Sequence, residues 1–97
     1  MTSYLSRDAR LIRTMLSDAT PPEDADSLFL IYAVLLRAKG AAVTASDVHD
    51  AWAAWMEPRN RHHPALQSYD QLAPAAQQAD EPYVEAIRAA AALRHGT

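Results

Sequence analysis

"LLRAKGAAVTASDVHDAW", residues 35–52, decides the fold, because it holds the end of one helix and the start of the next. Arg37 and Lys39 place positive charge where a helix C-terminus presents unpaired carbonyls, and Gly40 supplies a residue free to take the left-handed cap. Thr44 followed by Asp47 has the spacing of a capping box, in which the hydroxyl and the carboxylate each accept the other residue's backbone N–H. Val43 and Val48 are spaced as a hydrophobic staple across that start. The stretch reads as helix, turn, helix.

Upstream, "LFLIYAVLL" (28–36) is apolar all round, which a helix tolerates when neighbours cover most of its sides. We expect this to be the central helix, opening at Thr20, Pro21 and Glu23, another Thr-x-x-Glu box with proline in the first turn. Its all-round apolar character also allows a homodimer. Residues 3–17 put Leu5, Ala9, Ile12, Met15 and Leu16 on one helical stripe, with Arg7, Arg10 and Arg13 off it as a solvated face. Downstream, Val48, Trp52, Trp55 and Met56 share a face of the third helix, His49 and Asp50 lie mostly away from it, and Pro58 ends it. A polar connector follows, then a short helix from Pro74 to about Ala79. Asp80 caps the last helix, whose buried stripe is Tyr83, Ile87, Ala90 and Leu93.

No strand period or internal repeat interrupts this pattern, and 21 alanines favour helix over every alternative. The prediction is one all-α domain over residues 1–97, a compact bundle of four to five short helices. A chain of this length buries roughly 60–65% of its unfolded surface. The structural anchors expected are Trp52, Trp55, Leu66, Leu72 and Asp80.

Composition narrows the function. With no cysteine there is neither a disulfide framework nor a thiolate metal site. The nine-residue run from Leu28 to Leu36 is too short to cross a bilayer, and the charged N-terminus lacks a signal-peptide core. A cytoplasmic chain is the expectation. His49, His62 and His63 have no His-x-x-x-His partner, so no metal site is expected. Two glycines and no Gly-x-Ser-x-Gly elbow leave no phosphate loop or nucleophile, so no enzyme and no cofactor are expected.

The helix-turn-helix appearance raises DNA binding as an alternative function, that of a regulator. From Ala41 to Glu57, however, there is no lysine or arginine, while Asp47, Asp50 and Glu57 are acidic. Such a recognition helix repels phosphate.

"VHDAW" (48–52) and "HPALQSYDQL" (63–72), with Asp80 eight residues on, carry a family resemblance. His49, Trp52, His63, Pro64, Leu66, Tyr69, Asp70, Leu72 and Asp80 fall on the pattern of the RyR domain, a small helical repeat of ryanodine receptors also found in bacterial and phage proteins. The resemblance covers about residues 45–90. The chain departs from that pattern in its short "EPRNR" loop, in Gln77 where lysine is usual and in Glu81 where arginine is usual. The whole sequence also resembles small actinobacterial and actinophage proteins with no assigned function.

Two readings of the connector stand side by side. His63 and Tyr69 are buried supports that fix the turn onto Trp52; or Arg59, Arg61, His62, His63 and Tyr69 line a shallow pocket for an anionic or nucleotide-like ligand, with forked arginine donors for phosphate and a tyrosine face for a base. The function expected is that of a non-enzymatic accessory or regulatory binding module whose partner is a protein or a small anionic ligand.

Overall fold

A computed structural model describes residues 3–17 and 19–95. The helices are α1 (Tyr4–Met15), α2 (Asp26–Lys39), α3 (Ala45–Met56), the short α4 (Pro74–Gln78) and α5 (Glu81–His95), with single 3-10 turns at Gly40–Ala42 and Tyr69–Gln71. No strand occurs among the described residues. The all-α bundle is as the sequence predicts.

α2 lies at the centre and packs against α1, α3 and α5. Leu28, Phe29, Tyr32, Ala33 and Leu36 of α2, Ile12 of α1, Val48 of α3 and Ile87 of α5 form the core. The Cα radius of gyration, 13.0 Å, is that of a close-packed chain of this length.

Charged side chains tie the helices together at their rims. Asp8 of α1, buried, accepts from Arg37 Nε at 2.6 Å and lies 4.0 Å from Arg94 Nε, so one carboxylate links α1, α2 and α5. Arg37 also covers the Tyr4 ring at 4.4 Å. Arg88 forks onto the Val43 carbonyl with Nε at 3.1 Å and Nη2 at 2.7 Å, pinning α5 to the turn before α3.

The α2–α3 junction follows the sequence. Gly40 takes φ 55°, the left-handed region, and closes α2. Thr44 and Asp47 complete both halves of the capping box, at 3.2 and 2.9 Å, and Val43 and Val48 are both buried. Lys39 reaches back to Asp47 at 3.0 Å.

Three expectations are corrected. α2 starts at Asp26, not at Thr20–Glu23. Pro22 drives Pro21 away from helical backbone, and Asp24 adopts φ 55° within a turn over 23–25. As expected, neighbours cover most sides of α2, although Leu30 and Val34 are 38% and 53% exposed. Leu93, expected on the buried stripe of α5, is 48% exposed near its C-terminal end. His49 is buried rather than turned away, because the chain returns after α3 and lays the Tyr69–Gln71 turn against it.

Candidate functional site

Between α2, α3 and the start of α5 lies a partly open cleft of about 590 Å³. Leu28 and Tyr32 come from α2, His49 and Trp52 from α3, Leu72 and Ala76 from the returning segment, and Asp80, Pro82 and Tyr83 from the head of α5. Its volume and mostly apolar wall are those of small-molecule sites. Neither lysine nor arginine lines it, and neither serine nor cysteine.

Tyr32 and Tyr83 lie with ring centroids 5.6 Å apart, and Phe29 meets Tyr32 edge-on at 5.6 Å behind them. Burial pushes the Tyr32 hydroxyl's pKa well above its ordinary value, and the Tyr83 hydroxyl is raised for the same reason; both remain protonated. On the opposite wall His49 stacks on Trp52 at 5.5 Å.

The polar centre is the pair His49 and Asp80. His49 Nε2 lies 2.7 Å from the Gln67 carbonyl oxygen. A carbonyl only accepts, so Nε2 carries the proton and donates it. In the neutral ring Nδ1 is then a bare acceptor, and it faces Asp80 Oδ2 at 3.7 Å. That oxygen is buried and has no hydrogen-bond partner. Loss of solvent pushes the Asp80 carboxyl up to about 6; His49 opposes the rise and Glu81 adds to it. Asp80 stands directly before α5 and its carbonyl accepts from Val84 at 3.1 Å. Its carboxylate lies beside His49.

The five connector residues do not gather into one pocket. Arg59 is committed to structure: it covers the Trp55 ring at 4.1 Å and donates to the Trp55 carbonyl at 2.6 Å and to Ser27 Oγ at 2.9 Å. Arg61 and His62 are exposed. His63 Nδ1 accepts from the Ala65 N–H at 3.0 Å, and its ring meets Trp52 edge-on at 5.0 Å. Tyr69 approaches His49 at 6.4 Å. His63 and Tyr69 thus buttress the two side chains that form the α3 wall of the cleft.

Of the expected anchors, Trp55 and Leu72 are buried, while Trp52, Leu66 and Asp80 are partly covered. Trp55 Nε1–H donates to Ser27 Oγ at 2.9 Å, joining α3 to α2. Tyr32, Tyr83 and His49 were not singled out as site residues from the sequence. His49, Trp52, Leu72 and Asp80, all positions of the RyR-like pattern, do converge on the cleft, and that pattern was the available signal for His49.

Among the described residues no three His, Asp or Glu side chains gather to hold a metal ion, and no helix is long and apolar enough to cross a membrane. Fold and cleft together define an all-helical domain with an aromatic-walled cavity that a histidine and an aspartate line. The chain belongs to DUF7701, a domain family of unknown function, whose pattern matches residues 3–92. That match runs through both halves of the bundle and gives no support to a separate RyR-like unit over 45–90. No curated protein and no solved structure matches the chain.

Proposed function

We propose that this domain is a non-enzymatic accessory or regulatory module that binds a small ligand in the cleft between α2, α3 and α5. One observation carries the reading: a buried carboxylate oxygen without a partner belongs to a residue that lines a mostly apolar, aromatic cavity. Leaving a buried acceptor unpaired costs on the order of 1–3 kcal/mol or more. A small domain tolerates such a defect where a guest supplies the missing donor. A cytoplasmic setting, and the RyR-like and actinobacterial or phage affinities of the sequence, belong to the same proposal.

The DNA-binding alternative is weaker, because the solvent face of α3 presents Ser46, Asp50, Ala54 and Glu57 and no cation. A protein-partner reading rests on Leu30 and Val34, exposed on α2.

A thermal-shift screen of a chemically diverse library tests the cleft. A ligand at 100 times its Kd adds about 2.7 kcal/mol, which in a domain of this size raises Tm by roughly 10 °C or more. Ala76→Phe, which fills the cleft, should erase the shift. Hits that persist unchanged in Ala76→Phe, or a library without hits, would count against the site.

A further inference from the structure

The cleft wall carries one buried acceptor without a partner in the protein, Asp80 Oδ2, and beside it His49 Nδ1. His49 Nδ1 and Asp80 Oδ2 stand 3.7 Å apart, and the Nε2 proton of His49 is already spent on the Gln67 carbonyl. No lysine or arginine on the wall competes for the carboxylate, and His49 does so only when its ring is protonated. Trp52, Tyr32 and Tyr83 line the same cleft and give it aromatic rings, a wall that suits a cation on an apolar body. An anion in the same place would meet the Asp80 carboxylate inside a wall of low polarity, where like charges repel strongly.

We propose that the cleft is built for a small organic cation, a primary ammonium or amidinium on an apolar, ring-bearing body, which pairs with the Asp80 carboxylate at the cleft wall beside His49. This rests on the reading of the cleft as a ligand site and gives its guest a charge opposite to the one the arginine-rich connector suggests. The connector arginines are not part of the site: Arg59 is fixed on Trp55 and Ser27, and Arg61 is absent from the cleft wall.

Three probes of one shape separate the possibilities: 2-phenylethylammonium, uncharged 2-phenylethanol and anionic 3-phenylpropionate, each titrated into the isotope-labelled protein while the two tryptophan indole N–H signals are followed by NMR. Trp52 lines the cleft, whereas Trp55 is held behind it by Ser27 and Arg59. The expected result is a saturable shift of the Trp52 signal with the ammonium, the Trp55 signal staying in place. A charge-assisted hydrogen bond sets the margin, so the alcohol should bind roughly tenfold to a hundredfold more weakly, the carboxylate weaker still, and Asp80→Asn should lose a similar factor for the ammonium. If the alcohol or the carboxylate binds as tightly as the ammonium, or if Asp80→Asn keeps wild-type affinity, the cation assignment is overturned while the cleft remains a ligand site. If none of the three moves Trp52, both the cation assignment and the cleft reading fall.

Discussion

Trp55→Ala is expected to lower the unfolding free energy by about 3–5 kcal/mol, the range for truncating a buried tryptophan. The ring is 4% exposed, its Nε1–H is donated to Ser27 on α2, and the Arg59 guanidinium lies 4.1 Å over its face. Truncation opens a cavity between α2 and α3 and leaves Arg59 without its platform. A domain of this size has a total stability on the order of 5–15 kcal/mol, so the variant should melt far below the wild type or fail to fold at 37 °C. Trp52→Ala should cost less, because that ring is only partly covered and forms the wall of an open cleft. Urea titrations of the two variants check the order; a larger loss for Trp52→Ala would mean that the cleft is closed and that Trp52, not Trp55, is the anchor.

The second large effect is a dependence of stability on pH that Asp80→Asn removes. Burial raises the Asp80 carboxyl to about 6 in the folded protein, above the roughly 3.9 of an exposed aspartate in the unfolded chain. Between those values the native state holds a proton that the unfolded state has released. Stability from this group is therefore fully present below about pH 4 and is lost as pH rises through about 6, by on the order of 1–2 kcal/mol once solvent screening of this half-buried group is counted. Asp80→Asn carries no charge to desolvate, and its amide can donate to His49 Nδ1. Relative to wild type, the variant should gain stability steadily from pH 4 to pH 7. Parallel curves for the two proteins over that range would show that the carboxylate is well solvated.

The parts of this fold legible in the sequence were those governed by neighbours three or four residues apart. Thr44 and Asp47, Gly40 and the staple of Val43 and Val48 act within one helical turn, and the structure places them as their spacing requires. The start of α2 was misread because a capping box at Thr20 and Glu23 competes with the Pro21–Pro22 pair, and the steric demand of the second proline prevailed. The cleft lies beyond this range. Tyr32, His49 and Asp80 come from three helix-length segments, and helical periodicity of α3 alone sets His49 apart from the core face because it cannot register that residues 67–71 later fold over it.

Charge misled for a related reason. Arg59 and Arg61 stand beside two histidines in the sequence and suggest an anion site, yet the turn after α3 directs Arg59 back onto its own helix end and leaves Arg61 and His62 in solvent. Asp8 gave no signal at all: its two arginine partners are 29 and 86 positions away in sequence. Four of the nine positions of the RyR-like pattern, His49, Trp52, Leu72 and Asp80, line the cleft and the other five do not, while the family that matches the chain extends across both halves of the bundle.

The most direct test of the central claim, that the Asp80 carboxylate beside the cleft has no partner within the protein, is the nitrogen-15 spectrum of the His49 ring in the unliganded protein at pH 8. The account predicts a proton on Nε2, bonded to the Gln67 carbonyl, and a bare Nδ1 facing Asp80. A proton on Nδ1 would mean that His49 already satisfies the carboxylate, and the cleft would then have no vacancy for a guest to fill.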